Sequence, residues 1–175
     1  MISKLFNTYK NVIIYIIKFT LLYIFFVLIY NKYLSFYKYK PDFFTSIVAK
    51  SVNKIYHLIG ISSSIEPFNN TGLKLIIKNE YIARIVEGCS AASIIILFVV
   101  FIISFGKTNI KTFVFLLLGA FSIFIINIFR ILFLAYTLYA FPDYQKILHQ
   151  IIFPAIIYTW VVLLWIYFIK KIYKK

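Results

Sequence analysis

Cysteine is almost missing from this chain: Cys89 stands alone among 175 residues, so no intrachain disulfide can form. Histidine occurs only at His57 and His149, and with one cysteine so far away the three form no recognisable metal-ligand set. Neither a metal nor any other cofactor is expected. Acidic residues number five against 19 basic ones, a formal charge of +14. Such an excess suits nucleic acid or anionic lipid. The lysines flank or end apolar runs, as Lys170, Lys171, Lys174 and Lys175 do, which selects membrane lipids and leaves no nucleic-acid partner. Arginine is also scarce, so Arg84 and Arg130 stand out in a lysine-rich background.

What the chain has in abundance is apolar surface. Hydrophobic residues make up 63% of it, and the mean hydropathy is +0.92. Soluble domains hold roughly 45–50% apolar residues, so this excess requires lipid as solvent. Four runs approach the roughly 20 residues that cross a bilayer: 12–30 with Lys18, 90–105, 112–135 with Arg130, and 151–169. The second is short, and Ile85 and Val86 are expected to extend it. Lipid offers no partner for backbone groups, so each run must be helical. The first is too long for a signal-peptide core and no small-residue cleavage site follows it, so it is expected to remain as an anchor. The predicted fold is an all-α polytopic membrane protein, a single membrane-embedded domain over residues 1–175.

Residues 31–88 form the expected external segment. Phe43, Phe44, Ile47, Val48, Ser51, Ile55, Leu58 and Ile59 recur near helical spacing with Lys50 and Lys54 opposite, predicting an amphipathic interfacial helix. The Ser-, Asn- and Pro-containing stretch 61–72 predicts a loop. Leu73–Ile77 and Tyr81–Val86 flank Lys78-Asn79-Glu80 and predict a short hairpin leading into Cys89. Lysines at both ends and at Lys107 and Lys111 favour cytoplasmic termini, although Lys32, Lys38 and Lys40 argue the other way.

Alternating spans bring Cys89, Arg130 and His149 to one membrane face. Gly88-Cys89-Ser90-Ala91-Ala92-Ser93 is an unbroken run of small residues, which serves either helix packing or a substrate cleft beside a thiol. A helix N-terminus at Cys89 would favour its thiolate. Arg130 is costly in an apolar stretch and points to function, with snorkelling to headgroups as the structural alternative. Asn127, three residues earlier, shares its helical face. His149 follows the Pro142-Asp143 turn and suits proton transfer to and from the thiol and a leaving amine. Glu87 is placed to orient His149 or Arg130, or else is a solvated charge; His57 lacks such company and reads as an interface residue.

The order Val86-Glu87-Gly88-Cys89-Ser90-Ala91-Ala92, then Asn127-Ile128-Phe129-Arg130-Ile131, then His149 resembles the exosortase/archaeosortase family over roughly Arg84 to Pro154. The short length is similar to its compact exosortase F-type group. The resemblance implies a cysteine transpeptidase or protease in the bacterial cytoplasmic (inner) membrane with an outward-facing active site. Its substrates would be secreted proteins whose C-terminus carries a short motif, an apolar helix and a basic tail. Cys89, Arg130 and His149 would be catalytic, with Asn127, Glu87 and Ser90 supporting them. Many members have glycine after the Cys-Ser pair; Ala91 stands here, and its methyl is expected to narrow the cleft. A non-catalytic membrane protein, such as a transport subunit or assembly partner, is the alternative. A lipid-modifying enzyme using His149 and Asp143 is a third reading.

Overall fold

A computed structural model describes residues 2–68, 72–106, 109–140 and 147–173. Pro142, Asp143, Lys107, Lys174 and Lys175 lie outside them, as does the side chain of His149. Three helices are long and apolar enough to cross a membrane: Tyr9–Ser35 within α1 (Ile2–Ser35), α4 (Ile110–Ala140), and Gln150–Lys171, which contains α5 (Phe153–Tyr167). The chain is a multi-pass membrane protein.

The second expected span is shorter than the others. Helix α3 (Ala92–Phe105) has only 14 residues, about 21 Å at 1.5 Å per residue, against roughly 30 Å of hydrocarbon. Ile85 and Val86 do not lengthen it, because Ile85 ends a strand and Val86 is extended. Ala91, at φ 58° and ψ 10°, sets the left-handed break before the helix begins. The far end is held by α1. Lys18 Nζ donates to the carbonyls of Ile103 (3.1 Å) and Ser104 (3.5 Å), placing an ammonium where a helix leaves its last carbonyls free. Tyr15 meets Phe105 and Phe19 meets Phe101 alongside, so α1 and α3 run antiparallel.

The all-α expectation is corrected. A three-stranded antiparallel sheet follows α2 (Phe43–Leu58), in the order β1 (Ser63–Phe68), β2 (Gly72–Ile77), β3 (Glu80–Ile85). The predicted β2–β3 hairpin is present. Lys78 and Asn79 both take positive φ, 49° and 67°, the pair that a tight two-residue hairpin turn demands. The predicted loop over 61–72 instead contains β1, whose six residues pair with β2 from Ser63↔Ile77 to Phe68↔Gly72.

Helix α2 starts at Asp42, whose carboxylate accepts from the Phe44 and Thr45 amides at 3.0 and 3.1 Å and from the Thr45 hydroxyl. Its buried stripe is Thr45, Val48, Ala49, Val52 and Tyr56. This stripe differs from the predicted apolar face: Phe43, Phe44, Leu58 and Ile59 are exposed, because α2 packs against protein along its middle. Val48, Ala49, Val52 and Tyr56 join Leu75, Ile77 and Ile85 of the sheet and Ile128, Ile131 and Ala135 of α4 in one core. A second core inside the helix bundle gathers Ala91, Phe98, Ile102, Ile123, Val161 and Phe168. Helix α4 runs through both. Its 31 residues measure about 46 Å, long enough to cross hydrocarbon and continue as a pillar for the sheet.

Tyr56 fastens α2 to that pillar, its hydroxyl donating to the Leu132 carbonyl at 2.6 Å. Burial pushes the phenol up from 10.0 to about 12. A raised folded-state value means that its stabilisation is complete below the unfolded value and is lost as pH rises through about 12. Tyr56→Phe is therefore expected to melt earlier than the wild type at neutral pH, by about 1 kcal/mol. The wild type should lose this advantage in strong alkali. Melting curves of both chains in detergent check this, and a gap that does not change with pH would contradict it.

Candidate active site

Where the two cores meet, β3 runs through Val86 into a 3-10 turn, Glu87–Cys89, which precedes α3. Cys89 is therefore three residues ahead of the helix rather than in its first turn. The Cys89 amide donates to Val86 O at 2.7 Å. Its carbonyl accepts from Asn127 Nδ2 at 2.7 Å. Asn127 is completely buried, and this bond ties the cysteine turn to α4.

Arg130 lies one helical turn beyond Asn127 and half-buried. Two clefts flank it, and Cys89 and Arg130 line both. One, of about 490 Å³, opens between β3 and α4. The other, of about 370 Å³, opens between α3 and α5 and is closed by Phe153, Pro154 and Tyr158. Arg130 Nε and Asn127 Oδ1 are buried polar atoms without a hydrogen-bond partner among the described residues. Unsatisfied buried groups are rare and need a reason; of the four among the described residues, two belong to residues beside the thiol, and Ser104 Oγ and Trp165 Nε1 lie elsewhere. Arg130 lines both clefts, and its guanidinium offers donors for an oxyanion or carbonyl entering either one. The amide nitrogen of Asn127, a supporting residue by the resemblance, is committed to the Cys89 backbone.

The small-residue run divides its labour. Ser90, Ala91 and Ala92 are buried and pack, whereas Gly88, Cys89 and Ser93 face the clefts. Packing and access alternate along the same six residues. Ser90 Oγ donates to Glu87 O at 2.8 Å and accepts from the Ala92 amide at 3.4 Å, closing the turn on itself. Glu87 is exposed and lines a separate cavity with Tyr23, Tyr30 and Asn31. That cavity is shared with neither Cys89 nor Arg130. Ala91 does not narrow a cleft, contrary to expectation. Its methyl lies in the bundle core, and its cost is conformational, because φ 58° is a region that favours glycine.

His149 falls in the π-helical turn Leu148–Ile152 that leads into Phe153 and Pro154. The backbone therefore delivers it to the cleft-lined head of the last helix. His57 is exposed beside Lys50 and Lys54 in a groove between α2 and β1, apart from the thiol. Sequence reasoning did not anticipate Tyr158 as a wall of the site; its position one turn after Pro154 on α5 was the available signal.

A cysteine and an arginine thus line two clefts of a helical membrane bundle. The chain belongs to the transmembrane exosortase family, whose model matches residues 11–171. Membership implies a transpeptidase-like role. Among curated proteins and solved structures, none matches the chain significantly.

Proposed function

We propose that the protein is a cysteine transpeptidase or protease, of the compact F-type, that cleaves the C-terminal sorting signals of secreted proteins at the outer face of the cytoplasmic membrane. The observation that carries this reading is the Cys89–Arg130 pair lining two clefts, with the Cys89 carbonyl held by Asn127. Cys89 Sγ attacks the scissile carbonyl carbon and its proton passes to His149. Arg130 holds the oxyanion, a contribution typically of about 2.7–4 kcal/mol per donor. The C–N bond then breaks and His149 protonates the leaving amine, leaving a thioester on Cys89. Water resolves it to a carboxylate; an amine or a glycan hydroxyl resolves it to a new bond.

The arrangement of the bundle supports the proposed orientation. The N-terminal half of α1, the end of α3 and the end of α5 gather at one end, where Phe168 approaches Gly106. Lys10, Lys111, Lys170 and Lys171 lie toward that end, which we assign to the cytoplasm. Cys89 then faces outward.

The lone cysteine makes a direct test possible. A membrane-impermeant maleimide is expected to label Cys89 rapidly in intact cells, and more slowly when His149 is replaced by alanine. Cys89→Ser serves as the blank and permeabilised cells as the total. Labelling only after permeabilisation would reverse the orientation and remove the secreted substrate. No labelling in either state would favour the non-catalytic reading.

A further inference from the structure

We propose that the substrate residues preceding the scissile bond bind in extended form, as a fourth strand along the outer edge of β3. This rests on the peptide-transfer reading above and adds how the peptide is held.

Six consecutive residues, Tyr81, Ile82, Ala83, Arg84, Ile85 and Val86, line the cleft that ends at Cys89. Side chains of a strand alternate between its two faces, and although a bulge at Ile82 breaks the alternation once, a hollow lying against one face would not be touched by every residue. A hollow touched by all six runs along the edge, where the backbone itself is exposed. On its inner side β3 pairs with β2; on its outer side no strand pairs with it among the described residues. The opposite wall is one face of α4, formed by Arg130, Ile131, Leu134, Ala135 and Leu138 at three- and four-residue spacing. The cleft is therefore bordered by unpaired backbone on one side and by apolar side chains and a guanidinium on the other. An extended peptide fits both.

The two edges of the sheet are treated differently. β1 carries Pro67, whose missing N–H discourages pairing with another chain. Both edge strands carry charge, Glu66 on β1 and Glu80 and Arg84 on β3, but β3 has no proline. An edge left open in this way is normally a liability, and is kept where strand addition is the binding mode. Direction follows from continuity: β3 leads through Val86 to Cys89, so a peptide laid along it ends with a carbonyl at the thiol. The other cleft, between α3 and α5, opens among the bundle helices and suits the apolar helix that follows the scissile bond.

The test uses a secreted reporter bearing a C-terminal motif, apolar helix and basic tail encoded in the same genome. In a Cys89→Ser chain, which is then free of cysteine, Arg84→Cys and Val86→Cys, both lining the cleft beyond the bulge, are introduced in turn. Single cysteines are scanned through the reporter residues before its apolar helix. Directly paired strand residues lie within disulfide reach. Moving the enzyme cysteine by two residues should shift the strongest disulfide by two reporter residues. The same reporter position for both, or a flat profile, overturns strand addition while leaving the transfer reading intact. If the unaltered chain fails to process the reporter, or Cys89→Ser still does, both readings fall. If a cysteine variant does not accumulate, a proline scan of the reporter on the unaltered enzyme replaces it. Losses of about tenfold at alternate positions are then expected, and a profile without alternation overturns the proposal.

Discussion

Arg130→Lys is expected to slow reporter processing by about 10²–10³-fold while leaving the protein inserted in the membrane at wild-type levels. The substitution keeps the charge, and that is why it decides between two roles. Snorkelling to headgroups is served equally well by lysine. An oxyanion donor is not, because the guanidinium presents a planar, fixed fork whereas an ammonium is a mobile point charge. The Arg130 side chain lines both clefts, and lysine has no planar fork to put in place of its guanidinium. Processing rates in membranes with matched enzyme content provide the measurement. A change of threefold or less would assign Arg130 to the lipid interface.

The second large effect is expected far from the thiol. At Gly119 of α4, an added Cβ would lie 2.3 Å from Phe98 Cζ and 2.7 Å from Cε1, and Phe98 is completely buried. The ring occupies the space that a side chain would need, so Gly119→Ala must push α3 away from α4. Overpacking of this kind costs about 1–3 kcal/mol. The displacement reaches the site because Cys89 is tied to α4 only two turns further along, through Asn127. Gly119→Ala should therefore lower the melting temperature in detergent and also slow maleimide labelling of Cys89. Phe98→Leu is expected to relieve both defects in the double variant, although alone it leaves a cavity. Additive losses in that cycle would mean that the two residues do not share the contact.

Much of this arrangement was legible before any coordinates. Long apolar runs can only be helices in lipid, and the Lys78-Asn79 turn between two apolar stretches fits a tight hairpin. Cys89 and Arg130 met because alternation of direction is a topological constraint that needs no contact information. β1 was hidden because Ser63, Ser64 and Pro67 carry turn-like chemistry, and only pairing with β2 makes them a strand. The true start of α3 was hidden because Ala91 is an ordinary helix former held in a left-handed conformation by the packing around it. The commitment of Asn127 to the Cys89 carbonyl is a tertiary fact, with 38 residues separating the partners, and no local pattern announces it.

The short α3, with Lys18 beneath it, bears on how the enzyme meets bilayers of different thickness. Helices α1, α4 and α5 can tilt to match the hydrocarbon around them. α3 has no such freedom at its foot, since the Lys18 ammonium pins its last carbonyls to one level of α1. The height of the thiol is thus measured from inside the protein, like a rung on a fixed ladder. On the proposed function, a thicker leaflet would rise past Cys89 and draw the substrate's apolar helix with it, shifting which peptide bond stands opposite the sulfur. Lipid composition would then act as a ruler for the cut, with its zero mark at a lysine on the first helix.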